Sequence, residues 1–160
     1  MKGISEVDLS ALEWTESGMF AKKYTLQSGN DVVGKVNWQS YGGSLATGIT
    51  SQRTWTFKRT GFAVPRVTVR RAGEDDDIAR FTPISSNKGE LEIFDSGVEF
   101  EWKTSGSNFG WALGGQALIA RYKPMLYKAK LEIEAAEINR PEIPLLVLLG
   151  LYILVMFSED

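Results

Sequence analysis

Apolar and polar residues alternate along most of the chain, in short runs separated by turn-forming residues. The alternation is clearest at 98–103, where Val98, Phe100 and Trp102 share one face of an extended chain and the charged residues between them share the other. Comparable segments rich in Val, Ile, Thr and aromatic residues lie at 20–27, 32–39, 53–59, 66–71, 78–84, 90–94, 98–103 and 117–122. Short alternating strands at this spacing predict an antiparallel sandwich or barrel.

The pattern changes near the end of the sequence, where residues 143–157 form an uncharged run of 15 residues. Pro144 falls where the first turn of a helix tolerates proline, so the run predicts a helix over about 141–157. Such a run spans about 22 Å at 1.5 Å per residue, less than the roughly 30 Å of hydrocarbon in a bilayer. A helix that is apolar on every side needs apolar surroundings.

Three placements are open for this run: a membrane tail anchor, a buried strand pair divided at Gly150, and a helix buried in protein. The tail anchor is disfavoured by the length of the run and by the acidic residues that follow it. The third placement is favoured, and a barrel formed by the preceding strands is the natural container. We therefore expect one domain over 1–160, with strands at about 14–134 around a central helix.

Composition removes several kinds of chemistry. The chain has no Cys and no His, which excludes disulfides, Cys- and His-dependent nucleophilic catalysis and the common zinc sites. An enzyme would have to use a carboxylate pair, Ser-Lys chemistry or an all-oxygen metal site. With 18 basic and 20 acidic residues the formal net charge is −2, which argues against general nucleic-acid binding. No cofactor, metal site or catalytic residue is predicted.

Three acidic or glycine-rich motifs have more ordinary interpretations than their functional ones. Gly29 to Lys35 matches part of a phosphate-binding loop, but Val36 stands where Ser or Thr is needed, so a hairpin is predicted. The acidic run 74–77 lacks the ligand spacing of a calcium loop and predicts a solvated turn. Glutamates at 90, 92, 99 and 101 alternate with apolar residues, which predicts a water-facing hairpin rather than a hydrolase cleft.

Glycines recur at 106, 110, 114 and 115. Glycine within a strand often marks a place where the backbone approaches another element closely. We expect these residues to face inward and to give the central helix room. Replacing Gly110 or Gly114 with Leu would then destabilise the fold.

The strongest electrostatic feature is the stretch 53–71, which holds six cations and no acid in 19 residues. Alternation turns Trp55, Phe57, Val67 and Val69 inward and leaves cations and threonines outward, so two paired strands would form an anion-binding face. The candidate contacts for an anionic lipid head group are Lys58, Arg59, Arg66 and Arg70. The alternative is a solvated sheet face neutralised by the acidic run 74–77. Nucleic acid is less favoured, because the aromatic residues alternate into the core instead of standing beside the cations.

Two strand-and-turn segments, GNDVVGKV at 29–36 and GQALIARY at 115–122, precede the apolar segment PEIPLLVLLGLYIL at 141–154. In this arrangement the chain resembles the tubby C-terminal-like superfamily, in the branch of the phospholipid scramblases and the LURP-one-related proteins. The resemblance implies a closed antiparallel barrel of about twelve strands around the C-terminal helix. It also implies a mostly non-enzymatic role and phosphoinositide binding through surface Lys and Arg.

Two scramblase features have no counterpart here. The absence of Cys removes the lipidation stretch, and Glu132, Glu134 and Glu137 stand before the helix instead of an Asp-rich calcium segment. The sequence therefore fits best with a compact superfamily member whose function is unassigned.

The sequence thus predicts a non-enzymatic, phospholipid-binding module that is cytoplasmic and peripheral to an anionic membrane surface. Residues 1–14 lack the apolar core of a secretory signal, in keeping with an intracellular location. Two other functions stay open: a tail-anchored membrane protein with a β domain, and a protein-interaction scaffold that uses an open strand edge or the loop 39–47. A carboxylate-based hydrolase is the least favoured, and no protein partner is indicated.

Overall fold

The computed structural model describes residues 1–18, 21–126 and 128–158. Within these ranges the chain forms twelve β-strands and then one α-helix, with 3-10 turns at Ile4–Glu6, Leu9–Ala11 and Ala135–Glu137. The strands are β1 (Leu12–Ser17), β2 (Lys23–Ser28), β3 (Asp31–Trp38), β4 (Ala46–Thr50), β5 (Thr54–Thr60), β6 (Arg66–Arg71), β7 (Asp77–Ser85), β8 (Lys88–Ile93), β9 (Glu99–Ser105), β10 (Asn108–Ala112), β11 (Ala120–Met125) and β12 (Lys128–Ile133). Helix α1 spans Ile143–Ser158.

The sheet closes on itself. Each strand pairs antiparallel with the next one along the chain, and β1 pairs with β12 to complete one barrel. At the closure Glu13 lies opposite Lys130 and Trp14 opposite Ala129. The predicted closed antiparallel barrel of twelve strands is confirmed. Since closure pairs both sides of every described strand, an open strand edge is not available for a protein partner.

The helix is enclosed by the barrel. Every residue from Leu145 to Ile153 is buried, so the helix contacts protein on all of its faces. It packs on β3 and β4 and also on β10 and β11, which lie on opposite sides of the ring. Each fully buried aliphatic side chain contributes about 1.5–3 kcal/mol relative to exposure, which makes α1 the centre of the hydrophobic core.

The predicted helix at about 141–157 is confirmed with a shift of two residues at its start. Pro141 and Glu142 form a turn, and the Leu146 backbone N–H donates to the Glu142 carbonyl at 2.9 Å to begin the helical ladder. Among the described residues, no helix has both the length and the hydropathy needed to cross a membrane.

The strand predictions differ from the structure mainly where glycine or lysine interrupts the pattern. The prediction at 66–71 coincides with β6, but the alternation does not identify β1, β4, β10 or β12 as separate strands. Gly48 interrupts the pattern in β4, Gly110 interrupts it in β10, and lysines alternate with the apolar residues of β12. The segment predicted at 117–122 begins too early, since a turn at 113–116 and an irregular stretch to residue 119 precede β11. The start of the segment 20–27 falls on Phe20, outside the described residues.

The expected role of Gly110 and Gly114 is wrong. A side chain at Gly110 would collide with the Ala120 carbonyl on β11, not with the helix, and Gly114 lies in an exposed turn with open space around it. The glycines that leave room for α1 are Gly34 and Gly48, whose Cβ positions would stand 3.0 and 3.1 Å from methyl groups of Leu148. These two lie on β3 and β4, the strands nearest the middle of the helix.

Candidate functional site

The cationic strands β5 and β6 form a groove on the outside of the barrel. They pair in the register Thr56 opposite Arg70, Lys58 opposite Thr68 and Thr60 opposite Arg66. Their alternate residues Trp55, Phe57, Val67 and Val69 are buried, as predicted, so the cations and threonines face outward. The structure therefore brings three of the predicted site residues, Lys58, Arg66 and Arg70, onto one surface.

The groove has a volume of about 370 Å³ and a polar lining. The lining contains three threonines and four cations, together with Leu45 and Asp77. The threonines and cations are Thr56, Thr60, Thr68, Lys58, Arg66, Arg70 and Arg80. Hydroxyl, ammonium and guanidinium groups all donate hydrogen bonds, and the three threonine oxygens can also accept them. A surface of this kind suits a ligand with several negatively charged oxygens.

Sequence reasoning missed Arg80. It lies on β7, and only the antiparallel register between β6 and β7 places it opposite Thr68. Arg80 is so far from Lys58 along the chain that no local sequence pattern indicates that the two lie on one surface. The outward alternation of β7, in which Ala79 and Phe81 are buried on either side of Arg80, is the one feature of the sequence that could have indicated it.

Two of the four cations are engaged by acids. Arg70 Nε donates to Asp77 Oδ1 at 2.8 Å, and this hydrogen bond raises the pKa of the Arg70 guanidinium above its ordinary value. Arg80 lies 3.7 Å from a carboxylate oxygen of Glu92. Within the described ranges, Lys58 and Arg66 have no acidic partner within salt-bridge distance. The expected neutralisation by the run 74–77 therefore reaches one edge of the groove, through Asp77.

Arg59 does not join the groove. It lies opposite Val67 on the inward-facing register of β5, at one end of the barrel. Its guanidinium carbon stands 4.7 Å from the centre of the Phe157 ring at the end of α1, a cation–π contact. Arg59, the fourth candidate contact, therefore lies apart from Lys58, Arg66 and Arg70, because adjacent residues of a strand point to opposite faces.

The acidic and glycine-rich motifs lie in the hairpins and turns that were predicted for them. Glu90 lies opposite Glu101 and Glu92 opposite Glu99 on the outer face of the β8–β9 hairpin, away from the groove lining. Gly29, with φ of +59°, turns the β2–β3 hairpin, as predicted for the segment that partly matches a phosphate-binding loop. Residues 74–76 lie in the β6–β7 connection, and no cluster of three or more acidic residues in the described ranges could hold a metal ion.

Comparison with protein-family models, with curated proteins and with solved structures finds no match for this chain. The likeness to the tubby C-terminal-like superfamily therefore rests on the sequence segments that suggested it.

Proposed function

We propose that this chain is a non-enzymatic binding module that holds an anionic phospholipid head group, of the phosphoinositide class, in the outer groove. The observation that carries the proposal is the pair Lys58 and Arg66, which lie on adjacent strands beside threonine hydroxyls and have no acidic partner among the described residues. Unpaired cations on a rigid sheet are poised to bind an anion without first breaking an ion pair.

The chemistry of the lining favours phosphate over a simple carboxylate. Arginine offers a planar fork of donors that matches two phosphate oxygens, and lysine adds a compact charge. Four cations and three hydroxyl groups provide more hydrogen-bond donors than one carboxylate can accept from. A volume of about 370 Å³ accommodates a substituted ring rather than a single ion. The resemblance to a superfamily with phosphoinositide-binding members supports a lipid as the source of this phosphate.

The proposal makes the protein peripheral to an anionic membrane surface. Electrostatic attraction between such a surface and basic side chains contributes about 1 kcal/mol for each Lys or Arg near it. Binding through the groove should therefore weaken as the salt concentration rises, because small ions screen these charges.

Liposome co-sedimentation with and without phosphoinositide tests the proposal. The full chain should sediment with phosphoinositide vesicles more strongly than with neutral ones, and Lys58→Ala/Arg66→Ala/Arg70→Ala should abolish that difference. A matched control is Lys35→Ala/Lys123→Ala/Lys130→Ala, which removes three cations from outward positions that do not line the groove. It should retain most of the binding.

Competition experiments identify the source of the phosphate, and the comparison of the two variants decides whether the groove is the binding site. A soluble inositol phosphate should compete with the vesicles, whereas inorganic phosphate at the same concentration should compete weakly. Equal sedimentation of the groove variant and the control variant would show that only net charge matters, and the groove would have no role as a binding site.

A further inference from the structure

A second concavity, the mouth cavity, opens at the end of the barrel where α1 ends. Its volume is about 720 Å³, within the range of roughly 300–1,000 Å³ that is typical of small-molecule sites. The helix contributes Leu151, Leu154 and Phe157, and the barrel wall contributes Trp14, Phe81 and Trp102. The cavity is therefore walled mainly by aromatic and aliphatic side chains, unlike the polar outer groove.

An unsatisfied hydrogen-bond donor belongs to this wall. The Trp14 side chain is fully buried, and its indole N–H has no acceptor in the described part of the chain. By contrast, Trp111 donates to the Leu146 carbonyl at 2.8 Å, and Trp38 Nε1 lies 3.2 Å from Met156 Sδ. A buried donor without a partner costs about 1–3 kcal/mol. Because the Trp14 side chain has no exposed surface, it adds apolar ring surface to the cavity wall rather than a hydrogen-bond donor for a bound molecule.

The rim of the mouth cavity carries more positive than negative charge. Arg59, Lys88 and Lys128 line it together with one acid, Glu16, and Lys128 Nζ also lies 3.5 Å from a carboxylate oxygen of Glu13. Lys128 is one residue away from Ala129, which lies directly opposite Trp14 in the closing strand pair. An anionic group near Lys128 would therefore lie at the edge of the cavity, beside the β1–β12 pair.

Exposed apolar side chains surround the same end of the barrel. In an up-and-down barrel the connections β1–β2, β3–β4, β5–β6, β7–β8, β9–β10 and β11–β12 all lie at one end, and residues near several of them line the cavity. Of the eight large apolar residues exposed in the described ranges, six lie at this end: Tyr41, Phe62, Val64, Ile84, Met125 and Leu126. Exposed apolar residues gathered at one place mark an interaction surface.

We propose that the mouth cavity binds one acyl chain of an anionic lipid. The chain lies among the aromatic and aliphatic side chains around the end of α1. Lys88 and Lys128 at the rim attract the negative charge of its head group. The apolar residues around the mouth bring this end of the barrel against lipid. The site uses different residues from the outer groove, so either site can exist without the other.

Quenching of tryptophan fluorescence by brominated acyl chains tests the proposal, because bromine quenches only on close approach and Trp14 and Trp102 both line the cavity. Two probes distinguish a free fatty acid from a membrane lipid as the source of the acyl chain. The first is dibromostearate in solution, and the second is vesicles of phosphatidylcholine with brominated acyl chains and a small fraction of anionic lipid. Saturable quenching by either probe, and none by the unbrominated equivalents, is expected. Absence of saturable quenching with both would overturn the proposal.

Two variants locate the site. Ala129→Phe fills the cavity beside Trp14 and should weaken binding of dibromostearate at least about tenfold. Lys88→Glu/Lys128→Glu changes exposed rim residues and removes one surface ion pair, Lys128 with Glu13, as the control below removes Lys123 with Glu132; it should weaken binding of dibromostearate by about tenfold through charge. The matched control Lys123→Glu/Lys130→Glu makes the same change of charge at exposed positions on β11 and β12 outside the cavity lining and should bind like the wild type.

The variant Lys88→Glu/Lys128→Glu, called the rim variant below, also tests the role of the head group. It should bind the corresponding long-chain alcohol as well as the wild type does, since the alcohol has no charge for Lys88 and Lys128 to attract. Equal affinities of the rim variant and its control for dibromostearate would contradict the assignment. The variant of the outer groove, Lys58→Ala/Arg66→Ala/Arg70→Ala, should keep full quenching, and loss of quenching there would place the acyl chain outside the mouth cavity.

Discussion

Tyr122 reaches the central helix at Gly150, the one residue of α1 that has no side chain. Its phenol oxygen lies only 2.2 Å from the position that a Cβ atom of Gly150 would take, and the hydroxyl donates to the Val147 carbonyl at 2.7 Å. The same oxygen lies 3.0 Å from the carbonyl of Leu146, which also accepts the indole N–H of Trp111. Strands β10 and β11 are thus joined to α1 by hydrogen bonds as well as by apolar packing.

Gly150→Ala should destabilise the fold by about 2–4 kcal/mol, because the new methyl group displaces the Tyr122 ring and removes its hydrogen bonds. Urea unfolding followed by circular dichroism measures this change. Gly114→Ala is the control, since Gly114 has open space around it and the expected effect is within about 0.5 kcal/mol. Equal stabilities of the two variants would show that Tyr122 can move away from α1 without cost.

Trp111→Phe and Trp14→Phe should differ in cost although both remove the same atoms from fully buried positions. Trp111 loses a hydrogen bond to Leu146, whereas Trp14 loses only a donor with no partner among the described residues. We expect Trp111→Phe to cost about 1–2 kcal/mol more than Trp14→Phe. Chemical denaturation of the two proteins gives the difference directly, and a larger loss in Trp14→Phe would show that its indole already has an acceptor.

Stability should fall at alkaline pH. Burial raises the pKa of Tyr122 well above its ordinary value and raises the pKa of Tyr152 as well. Because both phenols ionise near pH 10 once unfolded, their contribution is complete below that pH and is lost as the pH rises above it. The free energy of unfolding should therefore decline from about pH 10 upward, and Tyr122→Phe should make the decline shallower. A slope unchanged in this variant would contradict the assignment.

Removal of residues 143–160 should abolish cooperative folding, since the barrel would lose the helix that fills it. The shortened chain is expected to lack the near-ultraviolet circular dichroism of packed aromatic residues and to aggregate. Trp38 and Phe57 would be affected strongly, because both rings contact Tyr152. A monomeric, cooperatively unfolding barrel without α1 would show that the strands alone suffice.

Asp77→Asn should strengthen phosphoinositide binding by severalfold if the outer groove is the head-group site. The substitution removes the carboxylate charge that holds Arg70 and leaves the guanidinium free for the ligand. Glu74→Gln is the matched control, because it removes the same charge from a residue near Arg71 that does not line the groove. Vesicle titrations of both variants provide the comparison, and equal gains would indicate a general charge effect.

Strand alternation predicted an antiparallel sandwich or barrel, the uncharged run favoured a barrel around a buried helix, and the resemblance to a known superfamily implied its closed form with about twelve strands. Period-two patterning identifies the face of a strand that is buried, and a helix that is apolar on every side needs an enclosure. The same reasoning placed Lys58, Arg66 and Arg70 on the outer surface. These features follow from local geometry and hydrophobicity, which any short segment of sequence carries.

Register, closure and side-chain packing decided the rest. Arg80 joins the outer groove through the pairing of β6 with β7, and Arg59 turns to the barrel mouth because it follows Lys58 on the opposite face of β5. The match between Tyr122 and Gly150 joins residues 28 positions apart on different elements. The mouth cavity depends on where α1 ends inside the closed ring. Contacts between distant segments leave no periodic signal in the chain, so only the tertiary structure could reveal them.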